Sequence, residues 1–162
     1  MTVEKEQILQ LIIALLEEDH QLLLGAAKAS HAAATHEENI PDSKYETLAL
    51  EASYIAQGQA DRAGEIAKAL QTYRNLKLQP FTPDSPIRQT ALVALEDEMG
   101  RVQRLFLGPA AGGLKLTTPG GEVMVITPDS PLGRELLGLR CGDSFEFVRG
   151  GQPKEYEVLG VS

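Results

Sequence analysis

Glycine and proline divide this sequence in two. Of fifteen glycines and nine prolines, only three (Gly25, Gly58, Gly64) and one (Pro41) fall within residues 1–78. Glycine and proline are the residues that interrupt helices, so the first part is free to run as long helices. The remainder is punctuated often enough for short strands and turns. The fold class this predicts is α+β, with the helices first and the sheet after them.

Within the first part, Ile8, Ile12, Leu15, Leu22, Ala26, Ala29 and Ala33 recur at helical steps, interrupted at Asp19. A second run passes through Tyr45, Leu48, Ala52, Ile55, Ala63, Ile66, Leu70 and Tyr73, with Gln59 and Arg62 as polar breaks. Between them, Pro41 and the candidate N-caps Asp42 and Ser43 mark a stop and a restart. The pattern predicts a long antiparallel helical hairpin, a coiled coil with arms of roughly 45 to 50 Å at about 1.5 Å per residue. Alanines at 26, 27, 29, 32, 33 and 34 make the far part of the first arm thin. Pairing of two such hairpins into a homodimeric four-helix bundle is the competing reading, and a monomer is preferred.

The second part opens on Leu78-Gln79-Pro80-Phe81-Thr82-Pro83-Asp84-Ser85-Pro86, whose three prolines predict a stiff, extended linker. Candidate strands follow at Thr90 to Leu95, Val102 to Leu107, Gly113 to Thr117, Glu122 to Ile126, Ser144 to Val148 and Tyr156 to Val161. Ser130 before Pro131 starts a short helix that Gly138 ends. A small antiparallel sheet packed on one short helix is the expected outcome.

Charge and cysteine content limit the function. With 23 acidic against 15 basic residues, the net charge of −8 repels a phosphate backbone, so strong independent nucleic-acid binding is not expected. The single cysteine, Cys141, allows neither an internal disulfide nor a cysteine metal cage, which fits a reducing cytoplasm. The longest apolar run, Leu11 to Leu16, is too short for a membrane span, and no secretory signal is visible. His31 and His36 are five apart, the wrong spacing for two metal ligands on one helix face. No serine lies in a nucleophile elbow, and Gly112-Gly113 and Gly120-Gly121 read as hairpin turns.

The candidate site is the turn of the hairpin. Glu37, Glu38, Asp42 and Glu46 bring four carboxylates into ten residues, with Lys44 the one basic group among them. Carboxylate oxygens suit Mg²⁺, which is commonly held by one or two protein carboxylates with water or phosphate completing its shell. A solvated acidic turn is the plainer alternative. Sharing a metal that belongs to another active site is the functional one.

The stretch Val125-Ile126-Thr127-Pro128-Asp129-Ser130-Pro131-Leu132-Gly133-Arg134-Glu135-Leu136-Leu137-Gly138, then Cys141-Gly142-Asp143 and Glu155-Tyr156-Glu157-Val158, resembles the bacterial Gre transcript cleavage factors. It is similar to their V-x-P-x-S-P-I-G-R-A-L-L-G-K-x-x-G-D signature and closing Y-x-I strand, and the order of hairpin and C-terminal domain agrees. The resemblance implies a coiled-coil hairpin over 1–78, a linker over 79–89 and an FKBP-like domain over 90–162 that docks on RNA polymerase through Asp129, Ser130, Pro131 and Leu132.

It implies further that the hairpin enters the secondary channel of RNA polymerase. There Glu37, Glu38 and Asp42, supported by Tyr45 and Glu46, would assist the polymerase metal, with Glu38 and Asp42 as ligands of a shared Mg²⁺. The polymerase itself would cut the 3′ end of the backtracked RNA, so this chain is not expected to be an enzyme or to hold a cofactor of its own. The tip departs from the family's D-L-x-E-N-A-E-Y, reading Glu37-Glu38-Asn39-Ile40-Pro41-Asp42-Ser43-Lys44-Tyr45, with Glu38 and Asp42 four apart. A Gre-like regulator that occupies the channel without stimulating cleavage is the alternative. An FKBP-like isomerase with a helical stalk is the reading from another class.

Overall fold

In the computed structural model, which describes residues 2–37 and 43–162, helix α1 spans Thr2–Glu37 and helix α2 spans Ser43–Arg74. These form the expected N-terminal hairpin. After α2 come strands β1 (Leu92–Asp97), β2 (Val102–Leu107), β3 (Lys115–Thr118) and β4 (Gly121–Ile126). Helix α3 (Pro131–Leu136) and strands β5 (Ser144–Arg149) and β6 (Gln152–Val161) complete the order. No described helix is long and apolar enough to cross a membrane.

The chain divides into two compact units, residues 13–71 and residues 1–12 together with 72–162. In the first, Leu16 of α1 and Ala49, Ala56, Ala63 and Leu70 of α2 are buried, the four on α2 at strict seven-residue spacing. Ala63, Leu70 and Tyr73 of the expected α2 seam are buried as read, whereas its Leu48 and Ile55 are not. Leu22, Leu48 and Ile55 are 66, 43 and 55 % exposed, and in the first part of α2 the buried positions are Ala49 and Ala56, one residue beyond Leu48 and Ile55. Interhelical distance depends on the side chains at the contact, so a stripe of alanines lets two helices come closer than a stripe of leucines and isoleucines.

In the second unit the six strands form one sheet, ordered β3-β4-β2-β1-β6-β5. Every pairing is antiparallel except β2 with β4, which is parallel, so the sheet is mixed where the sequence suggested a wholly antiparallel one. The reason lies in the β3–β4 hairpin. Lys115-Leu116-Thr117-Thr118 alternates exposed and buried, as an edge strand does, whereas Val123-Met124-Val125-Ile126 is apolar on both faces and takes the inner place. Placing β4 inside sets it parallel to β2.

One face of the sheet carries Val93, Leu95, Leu105, Leu107, Ile126, Tyr156 and Val158, packed with Leu136 of α3. The alternate residues Leu92, Phe106, Leu116, Val123 and Val125 point to the other face and are buried as well. That second face receives the root of the hairpin. The Arg104 guanidinium pairs with Glu4 and also donates to Thr118 Oγ1 at 3.2 Å. The Tyr73 hydroxyl donates to the Ala110 carbonyl at 2.5 Å and rests on Gly108, where a Cβ would collide with it. Ile8, Ile12 and Tyr73 are fully buried.

Candidate functional site

The Thr127–Gly133 corner is built by one serine and one glycine. Ser130 Oγ accepts from the Gly133 amide at 3.1 Å and donates to the Thr127 carbonyl at 2.7 Å, so it caps α3 and closes the turn before it. Pro131 follows at the first helical position, where its missing N–H costs nothing. Gly133 is buried against the Thr127 carbonyl, too close for any Cβ. Asp129 and Pro131 stand exposed at the corner as a result, while Leu132 is half-buried and packs on the sheet core.

Beside this corner lies a cavity of about 220 Å³. Its floor is Leu95, Met124 and Ile126, its far wall Phe147 and Tyr156, and its near rim Ser130, Pro131 and Leu132. Short α3 leaves this end of the sheet face uncovered. Of the four contiguous residues expected to act together at the C-terminal site, Ser130, Pro131 and Leu132 border this apolar recess, and Asp129 stands exposed beside it.

The acidic turn is a different matter. Glu37 ends α1, and Tyr45 and Glu46 stand in the opening turn of α2. Glu38 and Asp42 lie outside the described residues. Among the described residues there is no group of three or more His, Cys, Asp or Glu able to hold a metal ion.

A charged cluster at the hairpin root escaped the sequence reading. Lys5 is only 4 % exposed, donates to the Gln79 carbonyl at 2.9 Å and lies 4.2 Å above the Phe81 ring. Arg88 stacks on the same ring at 4.4 Å and donates to the Pro80 carbonyl at 3.0 Å. Burial, helped by the nearby Arg88 charge, pulls the Lys5 ammonium down from 10.5 to about 8. Burial pushes the Tyr73 hydroxyl up from 10.0 to about 12, against the opposing pull of its bond to Ala110. The signal was present in the sequence, since Lys5 stands in phase with Ile8 and Ile12 on the apolar stripe.

Comparison with known families finds a likeness for the later part of the sheet domain. The family model "Transcription elongation factor, GreA/GreB, C-term" matches residues 116–162, which include the whole Thr127–Gly138 corner. Residues 116–162 are thus similar to the C-terminal domain of Gre factors. No curated protein matches the chain significantly. Among solved structures, the transcription factor Gfh1 is 24 % identical over 98 % of this chain and 92 % of its own, with a TM-score of 0.42. Gfh1 of Thermus aquaticus is 22 % identical over 93 % of this chain and 90 % of its own, with a TM-score of 0.42. The GreA/GreB elongation factor of Nitrosomonas europaea is 25 % identical over 65 % of this chain and 79 % of its own, with a TM-score of 0.39. The likeness to the Gre family model is confined to residues 116–162, from β3 to the end of β6.

Proposed function

We propose that this chain is a transcription elongation factor that docks on RNA polymerase by its Gre-type domain and stimulates cleavage of a backtracked transcript. The observation that supports this most is the match at 116–162, which spans the exposed Asp129–Leu132 corner. The hairpin would enter the secondary channel with the acidic turn leading. Glu37, Glu38 and Asp42 would supply carboxylate oxygens to a Mg²⁺ held by the polymerase, with Tyr45 and Glu46 supporting the turn. In two-metal chemistry such an ion orients the attacking water or steadies the leaving oxygen. The polymerase cuts the bond, and this chain contributes ligands.

One sequence observation favours a second reading, a channel-binding regulator that competes with cleavage factors. Glu38 and Asp42 are four apart with Pro41 between them, whereas the cleavage factors space their acids by three. Metal chemistry is sensitive to misplacement of about 1 Å. A single assay separates the two. Added to a stalled, backtracked elongation complex, the protein is expected to shorten the RNA, and Glu38→Ala with Asp42→Ala to slow this by about tenfold or more while polymerase binding persists. Intact RNA together with displacement of a bound Gre factor would establish the regulator instead.

A further inference from the structure

The cavity at the Asp129–Leu132 corner continues into a second depression of about 410 Å³ on the same sheet face. Gln103, Met124 and Arg149 line both, so the two form one surface with an apolar end and a charged end. Side chains alternate along a strand, which puts Arg149 on the face of Phe145 and Phe147. Lys115 lies opposite Met124 in the β3–β4 register and shares its face.

Both cations are exposed, and among the described residues neither makes an ion pair. The third basic residue there, Arg104, is taken by Glu4, and the depression contains one acid, Glu122. A chain of net charge −8 thus presents a locally positive wall next to an uncovered apolar recess. Complementary charge at an interface selects partner and register and speeds encounter. The occupant is therefore a protein segment with an apolar side chain and a neighbouring acid. A nucleic-acid backbone would meet the repulsion of the whole molecule and has no use for an apolar cavity.

We infer that, given the docking proposed above, the polymerase segment seated on this face inserts an apolar side chain between Leu132 and Phe147 and sets a carboxylate against Lys115 and Arg149. The surface thus extends from the Ser-Pro corner across the sheet to its two edge strands.

The test is equilibrium binding of the full chain to core RNA polymerase at several salt concentrations. Two variants are compared with the unchanged protein: Lys115→Glu with Arg149→Glu, both at exposed positions, and Gln103→Trp, which fills the shared mouth. Circular dichroism and melting temperature establish that each is folded. The charge reversal is expected to weaken binding about tenfold or more at low salt and to flatten its salt dependence. Gln103→Trp is expected to weaken binding by a similar factor at every salt concentration.

Binding by both variants within about twofold of the unchanged protein, with the same salt slope, would overturn the assignment while leaving polymerase docking standing. Failure of the unchanged protein to bind would remove the docking reading itself, and the occupant with it. Loss of self-association in sedimentation, with polymerase binding intact, would make the occupant a second copy of this chain and also overturn it.

Discussion

At the scale of single residues, the root of the hairpin makes the stability of this protein depend on pH in a definite direction. Lys5 binds its proton less tightly folded than unfolded, since burial lowers it from 10.5 to about 8. Between these values the unfolded chain holds the extra proton, so stability rises with pH through that window and the strain is fully present below pH 8. Tyr73 has the opposite sign, because its hydroxyl is raised to about 12 and its contribution is lost as pH rises above 10. In denaturant titrations the unchanged protein is expected to gain on the order of 2 kcal/mol from Lys5 across its window. Lys5→Met should lose that gain, and a variant with an unaltered slope would show that Lys5 is not its source.

At the scale of elements, strand positions were legible because turn signals bracket them. Gly150-Gly151 separates β5 from β6, and Ser130-Pro131 and Gly138 bound α3. The side-by-side order of strands was not, since it depends on which strand has partners on both edges. The apolar run Val123 to Ile126 carried that information once both faces were considered. The first part of the α2 seam, at Leu48 and Ile55, was misplaced for a related reason. Hydrophobicity ranks Ile55 above Ala56, whereas close helix packing ranks them the other way. Ala56→Leu is therefore expected to cost about 1 to 3 kcal/mol by overpacking, and Ile55→Ser less than about 0.5 kcal/mol, in thermal or denaturant melts. Equal costs would mean that the alanine stripe is not the tight contact. Of the candidate site, the Asp129–Leu132 corner could be read from its cap and proline. The cavity beside it could not, because Leu95, Met124, Phe147 and Tyr156 come from four separate strands.

At the scale of the whole molecule, the first dozen residues of the chain belong to the same compact unit as the sheet domain. Lys5 holds Gln79, Glu4 holds Arg104, and Tyr73 holds Ala110, so the second sheet face is completed by residues from both ends of the hairpin. A fragment beginning at residue 79 would expose the face of Leu92, Phe106 and Val125 to water, and contiguous apolar surface of that kind invites association. Such a fragment is expected to bind the dye ANS and to melt at a lower temperature than the intact chain; dye-free, equally stable behaviour would show that the face finds cover without the helices. The arrangement also sets an order of events during synthesis. The opening turns of α1 leave the ribosome ahead of the sheet and must wait, without their partners, until β2 and β4 have been made. Completion of the sheet domain is thereby coupled to closure of the hairpin, and a nascent chain that failed to fold back would present neither.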